Sequence, residues 1–115
     1  MKRYRVVYAA DARRDYKREV SRWRLTHPKN TYQLEDEIES AEKALSAVPR
    51  YGEAARDVQL ERARRVVLEK SGFLLYYLVF DDQRQVAILR LWYAARGKRP
   101  KLRIVRPKSR ATRSR

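Results

Sequence analysis

Hydrophobic and polar positions change rhythm several times along the chain, and each change marks an element. Tyr4-Arg5-Val6-Val7-Tyr8 is a short β-branched and aromatic run that predicts a strand. Beyond it Ala12, Tyr16, Val20 and Trp23 recur at helical spacing, with Asp11 placed to cap the helix and Pro28 to close it. A second helix is expected from Asn30, where Gln33 stands three residues on, the arrangement of a capping box. Its apolar stripe is Leu34, Ile38, Ala41, Leu45 and Val48, and Pro49 ends it. Glu35, Asp36 and Glu37 fall in its first turn, where the helix dipole favours anions. The short link between the two helices predicts an antiparallel hairpin.

From Arg50 to Leu60 the pattern is ambiguous between turn and short helix. After it the rhythm becomes that of strands. Arg64-Arg65-Val66-Val67-Leu68, Phe73 to Phe80, and Val86 to Tyr93 are three such runs, separated by Lys70-Ser71-Gly72 and by Asp81-Asp82-Gln83-Arg84 as hairpin turns. The middle run is nearly all apolar or Tyr, which suits a central strand covered on both faces. The expected fold is α+β: an antiparallel sheet of about four strands with the two-helix hairpin on one face. The first strand is expected to return to the sheet edge beside a strand of the C-terminal meander. Residues 1–97 are expected to form one domain and residues 98–115 a basic tail, with 108–115 ordered only when bound.

Charge changes this picture more than composition does. The chain has 115 residues, a common size for one domain, and an ordinary hydrophobic fraction of 43%. Its formal net charge is +15. Residues 1–63 carry 14 basic and 11 acidic side chains, whereas residues 64–115 carry 15 and 3. From Arg96 onward there are ten cations and no anion. Such a field draws in phosphate backbones or an acidic protein, and plain solubility does not require the asymmetry. The tail arginines Arg103, Arg106, Arg110, Arg113 and Arg115 have no base-reading geometry of their own, so contacts through them are expected to be backbone-directed and salt-sensitive. Cysteine is absent, which excludes a disulfide framework and a thiolate metal site, and a single His, His27, argues against zinc. Neither a cofactor nor a metal is expected. No apolar signal or membrane segment is read, so the expectation is a soluble, cytoplasmic protein.

The order of elements, with Arg64-Arg65-Val66-Val67-Leu68, the Gly72-Phe73 turn, Leu75-Tyr76-Tyr77, and Leu91-Trp92-Tyr93-Ala94-Ala95-Arg96-Gly97-Lys98-Arg99-Pro100, resembles the RelE/ParE superfamily. Leu75-Tyr76-Tyr77 and the Leu91–Gly97 segment look most like its ParE branch. The resemblance implies the toxin of a type II toxin–antitoxin pair, held in a hetero-oligomer by a cognate, acidic antitoxin that wraps it. RelE-like members cut messenger RNA in the ribosome, and ParE-like members inhibit DNA gyrase without nuclease chemistry. Outside both branches stands the alternative of a non-toxic RNA-binding protein whose basic tail does all the binding. Many ParE-branch chains have His where this one has Tyr93, and His27 is far from that motif in sequence.

Cleaving RNA through its 2′-hydroxyl requires a base, an acid for the leaving group and cations around the phosphate. The candidates for that chemistry are Arg64, Arg65, Tyr93 and Arg96. Arg stays protonated and is a poor base, so Tyr93 would need a pKa lowered by cations. For binding a target, the candidates are Arg96, Lys98, Arg99, Lys101 and Arg103. Trp23 is expected in the helix-to-sheet core. Of Tyr76 and Tyr77, one is expected in the core and the other on the open face of the sheet.

Overall fold

The computed structural model describes residues 3–103. Strand β1 (Arg5–Tyr8) leads into helix α1 (Ala10–Thr26), a 3₁₀ turn (Pro28–Asn30) and helix α2 (Gln33–Ala47). A two-residue strand β2 (Glu53–Ala54) precedes β3 (Arg64–Leu68), β4 (Phe73–Phe80) and β5 (Gln85–Tyr93), and a 3₁₀ turn (Ala94–Arg96) follows β5. The sheet order is β1-β5-β4-β3-β2. The expected meander β3-β4-β5 and the return of β1 to its edge are both present. Two details differ from the expectation. The sheet has five strands, because Glu53–Ala54 adds to the outer edge of β3, and it is mixed, because β1 runs parallel to β5. No helix among the described residues is long and apolar enough to cross a membrane.

Both expected helix caps are replaced. Strand β1 turns into α1 without a loop: Ala9 donates its N–H to the Ile88 carbonyl and occupies the cap, so Asp11 falls inside the first turn and pairs with Arg14. The 3₁₀ turn takes up Asn30, whose carbonyl accepts the indole N–H of Trp23 at 2.9 Å. Helix α2 therefore starts at Gln33, and no capping box forms. Val48, expected to close the apolar stripe, lies past the last helical residue and is exposed. Glu37 leaves the helix end to accept the backbone N–H groups of Lys70 and Ser71, fastening α2 to the β3–β4 turn.

The helices cover one face of the sheet. Trp23, Leu34, Ile38 and Leu45 meet Leu68, Leu75, Tyr77 and Ile88 in one core. The Tyr8 hydroxyl donates to Glu42, tying β1 to α2, and burial followed by that carboxylate raises its pKa well above the phenol range. The second face carries a core of its own, as the apolar run of β4 predicts, although one of its two tyrosines was expected on an open face. Leu74, Tyr76, Leu78, Leu89 and Trp92 are covered by Ala55, Ala63 and Leu102. Both Tyr76 and Tyr77 are thus fully buried, one in each core. Each hydroxyl has a partner: Tyr76 donates to Asp57 at 2.8 Å, and Tyr77 accepts the N–H of Gly52 at 2.9 Å.

A bulge makes this two-sided packing possible. Tyr77 pairs with Ile88 and Tyr76 with Arg90, leaving Leu89 as an extra residue in β5. One extra residue reverses the alternation of side chains beyond it. Leu91 consequently faces the helices and Trp92 the second face. Arg90, at the bulge, meets Asp15 of α1, which is 1% exposed. Asp15 accepts from Arg90 Nε at 2.6 Å, from the Leu91 N–H at 3.0 Å and from Arg18 at 3.0 Å.

Candidate functional site

The sheet register separates the four candidate catalytic residues. Arg64 pairs with Tyr77, while Tyr93 pairs with Phe73 at the other end of β4. Four residues of strand correspond to about 13 Å. Arg64 donates to the carbonyl oxygens of Gly52 (2.6 and 3.2 Å) and Arg50 (3.2 Å), so its guanidinium fastens the segment leading into β2. Arg65 points to the opposite face and pairs with Glu53 and Asp57, each at 2.9 Å. Tyr93 and Arg96 share the far end with each other and not with Arg64 or Arg65.

Asp57, which sequence reasoning did not single out, organises the second face. Its Oδ2 accepts from the Tyr76 hydroxyl and pairs with Arg65 Nη1 and with Arg99 Nε at 2.8 Å. Burial raises the Asp57 carboxyl, but the Tyr76 hydroxyl and the two guanidinium groups outweigh it and hold the pKa below the ordinary value. Burial and the neighbouring carboxylate push Tyr76 up to about 12. Two of the candidate target-binding residues are therefore already committed: Arg99 to Asp57, and Arg103 to Asp11 at 3.0 Å. Lys98 and Lys101 are exposed and have no acidic partner among the described residues. Residues 98–103 also lie against the second face. Trp92 Nε1 donates to the Lys98 carbonyl at 2.8 Å, Gln59 donates to the Leu102 carbonyl at 3.1 Å, and Pro100 and Leu102 are buried. The tail arginines Arg106, Arg110, Arg113 and Arg115, and the order of 108–115, lie outside the described residues.

A carboxylate with a lowered pKa stabilises the folded state above the unfolded value and loses that contribution as pH falls through the folded one. Acidification to below the ordinary carboxylate range, through the lowered pKa of Asp57, should therefore release the Asp57 cluster, and with it the segment 98–103. In a Trp23→Phe protein, Trp92 fluorescence should change in acid before far-UV circular dichroism does. Asp57→Asn should remove that early change, and its persistence in Asp57→Asn would show that another group controls the release.

At the far end, Tyr93 and Arg96 line a cleft of about 380 Å³. Its opposite wall is the last turn of α1, where the His27 ring stacks on Trp23 at 3.6 Å and 8°. His27 was expected to be remote from the Tyr93 motif because 66 positions separate them, yet the helix returns it to the same cleft. Tyr93 is 44% exposed and packs at 5.3 Å on Phe73, and the Arg96 guanidinium sits 4.1 Å over the Trp92 ring. The bulge at Leu89 puts Tyr93 on this side of the sheet. Periodicity alone assigns it to the other. Among the described residues no group of His, Asp or Glu side chains is arranged to hold a metal ion.

No family model matches the chain, and no curated protein matches its sequence. Solved structures do. One is a chain of the toxin–antitoxin complex RelBE2 from Mycobacterium tuberculosis, with a TM-score of 0.57 and 26% identity over 81% of this chain and 93% of that one. Another is a chain of the chromosomal ParDE system from P. aeruginosa, with a TM-score of 0.62 and 20% identity over 78% of this chain and 95% of that one. The match extends over 93% and 95% of the two neighbouring chains. This chain has the fold of the RelE/ParE superfamily.

Proposed function

We propose that this protein is the toxin of a type II toxin–antitoxin pair, neutralised by a cognate acidic antitoxin, and that it arrests growth by inhibiting DNA gyrase as a ParE-like protein. The observation carrying the non-nuclease reading is the separation of the candidate catalytic groups. In-line phosphate chemistry requires its base, acid and cations within hydrogen-bond reach of one phosphate. Here Arg64 is engaged by carbonyl oxygens, Arg65 by two carboxylates, and Tyr93 and Arg96 stand at the other end of the sheet. A protein target makes no such demand, and a cation-rich surface suits an acidic one. Of the binding candidates, Arg96, Lys98 and Lys101 are exposed and free of carboxylates among the described residues, and are assigned to the target or antitoxin. Arg99 and Arg103 would have to leave Asp57 and Asp11 to join them.

A ribosome-dependent messenger endonuclease is the second reading, favoured by the greater sequence identity to the RelBE2 neighbour. Inducible expression in bacteria separates the two. Arrest with altered plasmid supercoiling and intact messages is the expected result. Arrest with cleaved messages and unchanged supercoiling would overturn the gyrase assignment, and growth without arrest would overturn the toxin assignment for this chain. Truncating an arginine at the centre of an interface commonly costs 2 kcal/mol or more, roughly a 30-fold loss of affinity. Arg96→Ala should accordingly relieve the arrest at unchanged protein level. Full toxicity in that variant would remove Arg96 from the target surface.

A further inference from the structure

Besides Arg96, the cleft between the end of α1 and the end of β5 has features that the proposed inhibition does not use. Two aromatic surfaces face it from different elements: the His27 ring lying on Trp23, and Tyr93 backed by Phe73. Thr26 Oγ1, 2.9 Å from His27 Nδ1, and the Trp23 carbonyl, 3.2 Å from it, hold the imidazole in the stacked position. Cations from three separate elements ring the same space: Arg22, Lys70 and Arg96. The acid below them, Glu19, is buried and paired with Arg18 at 3.1 Å and Arg22 at 3.8 Å, so it offsets part of the Arg22 charge and leaves Lys70 and Arg96 as the rim cations without a carboxylate partner among the described residues. Ser71, also lining the cleft, is 7% exposed, and its Oγ has no hydrogen-bond partner among the described residues. A buried hydroxyl without a partner is costly, and a polar ligand group would satisfy it.

Planar aromatic surfaces beside cations suit a ligand that is itself planar at one end and anionic at the other. A volume of about 380 Å³ lies in the lower range of small-ligand sites. A larger depression of about 820 Å³ at the opposite end of the sheet is a weaker candidate. There Arg50 is held by Asp81 at 2.7 Å and Arg64 by carbonyl oxygens.

We propose that the cleft is a binding site for one nucleoside phosphate. The base stacks against His27 and Tyr93, and the phosphate lies at the rim formed by Arg22, Lys70 and Arg96. The same chemistry is offered by a free mononucleotide and by the 5′-phosphorylated end of a single strand. The site is separate from Arg64, Arg65 and the Asp57 cluster, so it does not depend on any nuclease activity of this chain.

His27 is the chain's single histidine, so its ring protons give one unambiguous NMR reporter inside the cleft. The full chain is titrated with adenosine and cytidine 5′-monophosphates, with ribose 5-phosphate, with inorganic phosphate, and with a 5′-phosphorylated oligonucleotide. A saturable upfield shift of the His27 resonance is expected with the mononucleotides, through the ring current of the stacked base. Ribose 5-phosphate and phosphate should not produce it. Tyr93→Ala, a change at an exposed ring, should weaken the mononucleotide by at least about fivefold with the rest of the spectrum preserved. Arg96→Ala should weaken nucleotide and oligonucleotide together. Tighter binding of the oligonucleotide than of the mononucleotide identifies a strand end as the ligand, and equal binding identifies the free nucleotide. Absence of a saturable shift with every nucleotide at millimolar concentration would overturn the proposal. So would an equal shift with ribose 5-phosphate, or unchanged affinity in a folded Tyr93→Ala protein.

Discussion

Replacing Asp15 by Ala is expected to destabilise the protein by about 3–5 kcal/mol, the usual cost of removing one partner from a buried ion pair. Asp15 is 1% exposed, and its carboxylate receives Arg90, Arg18 and the backbone N–H of Leu91. Without it the Arg90 guanidinium and the Leu91 N–H lose their acceptor at the bulge that sets the register of β5. Because a domain of this size has a total stability of about 5–15 kcal/mol, the melting temperature should fall on the order of 15 °C. Asp15→Asn keeps an acceptor for Leu91 but not the charge, and should cost less than Asp15→Ala. Asp15→Leu combined with Arg90→Met should recover a large part of the loss, since the penalty lies in the uncompensated partner more than in the pair itself. Urea titrations of the four proteins test this directly. A loss below about 1 kcal/mol in Asp15→Ala would mean that water reaches Arg90 and that the pair is not a structural pin.

That pin also marks the limit of what periodicity reveals. The helical stripe Leu34, Ile38, Ala41 and Leu45 and the apolar run Phe73–Phe80 were legible because a single face, or both faces, of one element is buried along most of its length. The alternation in β5 was not legible past Leu89, because an inserted residue leaves no mark in composition and is set by the pairing with β4. The cover over the second face was hidden for a related reason. Ala55, Ala63 and Leu102 are isolated apolar residues in irregular segments, and only the fold brings them together. Parallel pairing of β1 with β5 follows from where the helical hairpin delivers the chain, which no local pattern records.

The candidate site was legible in part for similar reasons. Tyr93 and Arg96 stand out as an aromatic and a cation at a strand end, and they do share a cleft. Arg64 and Arg65 read equally well as functional cations, but adjacent strand residues point to opposite faces, and each found a structural partner. Asp57 escaped notice because it lies in no motif, and His27 was set apart from Tyr93 because sequence distance does not show that α1 returns it to the same cleft. The signal that could have raised Asp57 was the excess of arginine in the following strand, which needs an acid if any of it is to be half-buried.

Gly52→Ala is the second substitution with a large expected effect, and it bears on how Arg64 should be interpreted. A Cβ at position 52 would lie 2.4 Å from the Arg65 carbonyl oxygen and 2.9 Å from the Tyr77 hydroxyl. Real Cβ atoms do not approach backbone oxygen so closely, so the 51–54 segment must move away from β3. That movement breaks the Gly52 N–H bond to Tyr77, withdraws the Gly52 carbonyl from Arg64, and separates Glu53 from Arg65. Overpacking and a stranded buried hydroxyl together should cost about 2–5 kcal/mol. Tyr77→Phe in the same protein should restore little of this, because the carbonyl obstacle remains. Urea titration of the single and double variants measures both effects, and a Gly52→Ala loss under about 0.5 kcal/mol would show that β2 docks more loosely than its geometry indicates. Arg64→Ala should echo Gly52→Ala in kind, lowering stability and the amount of soluble protein, because the same segment is released. If, instead, Arg64→Ala left stability intact and abolished arrest, the guanidinium would be serving the target and not the fold, and the separation of Arg64 from Tyr93 would cease to argue against a nuclease.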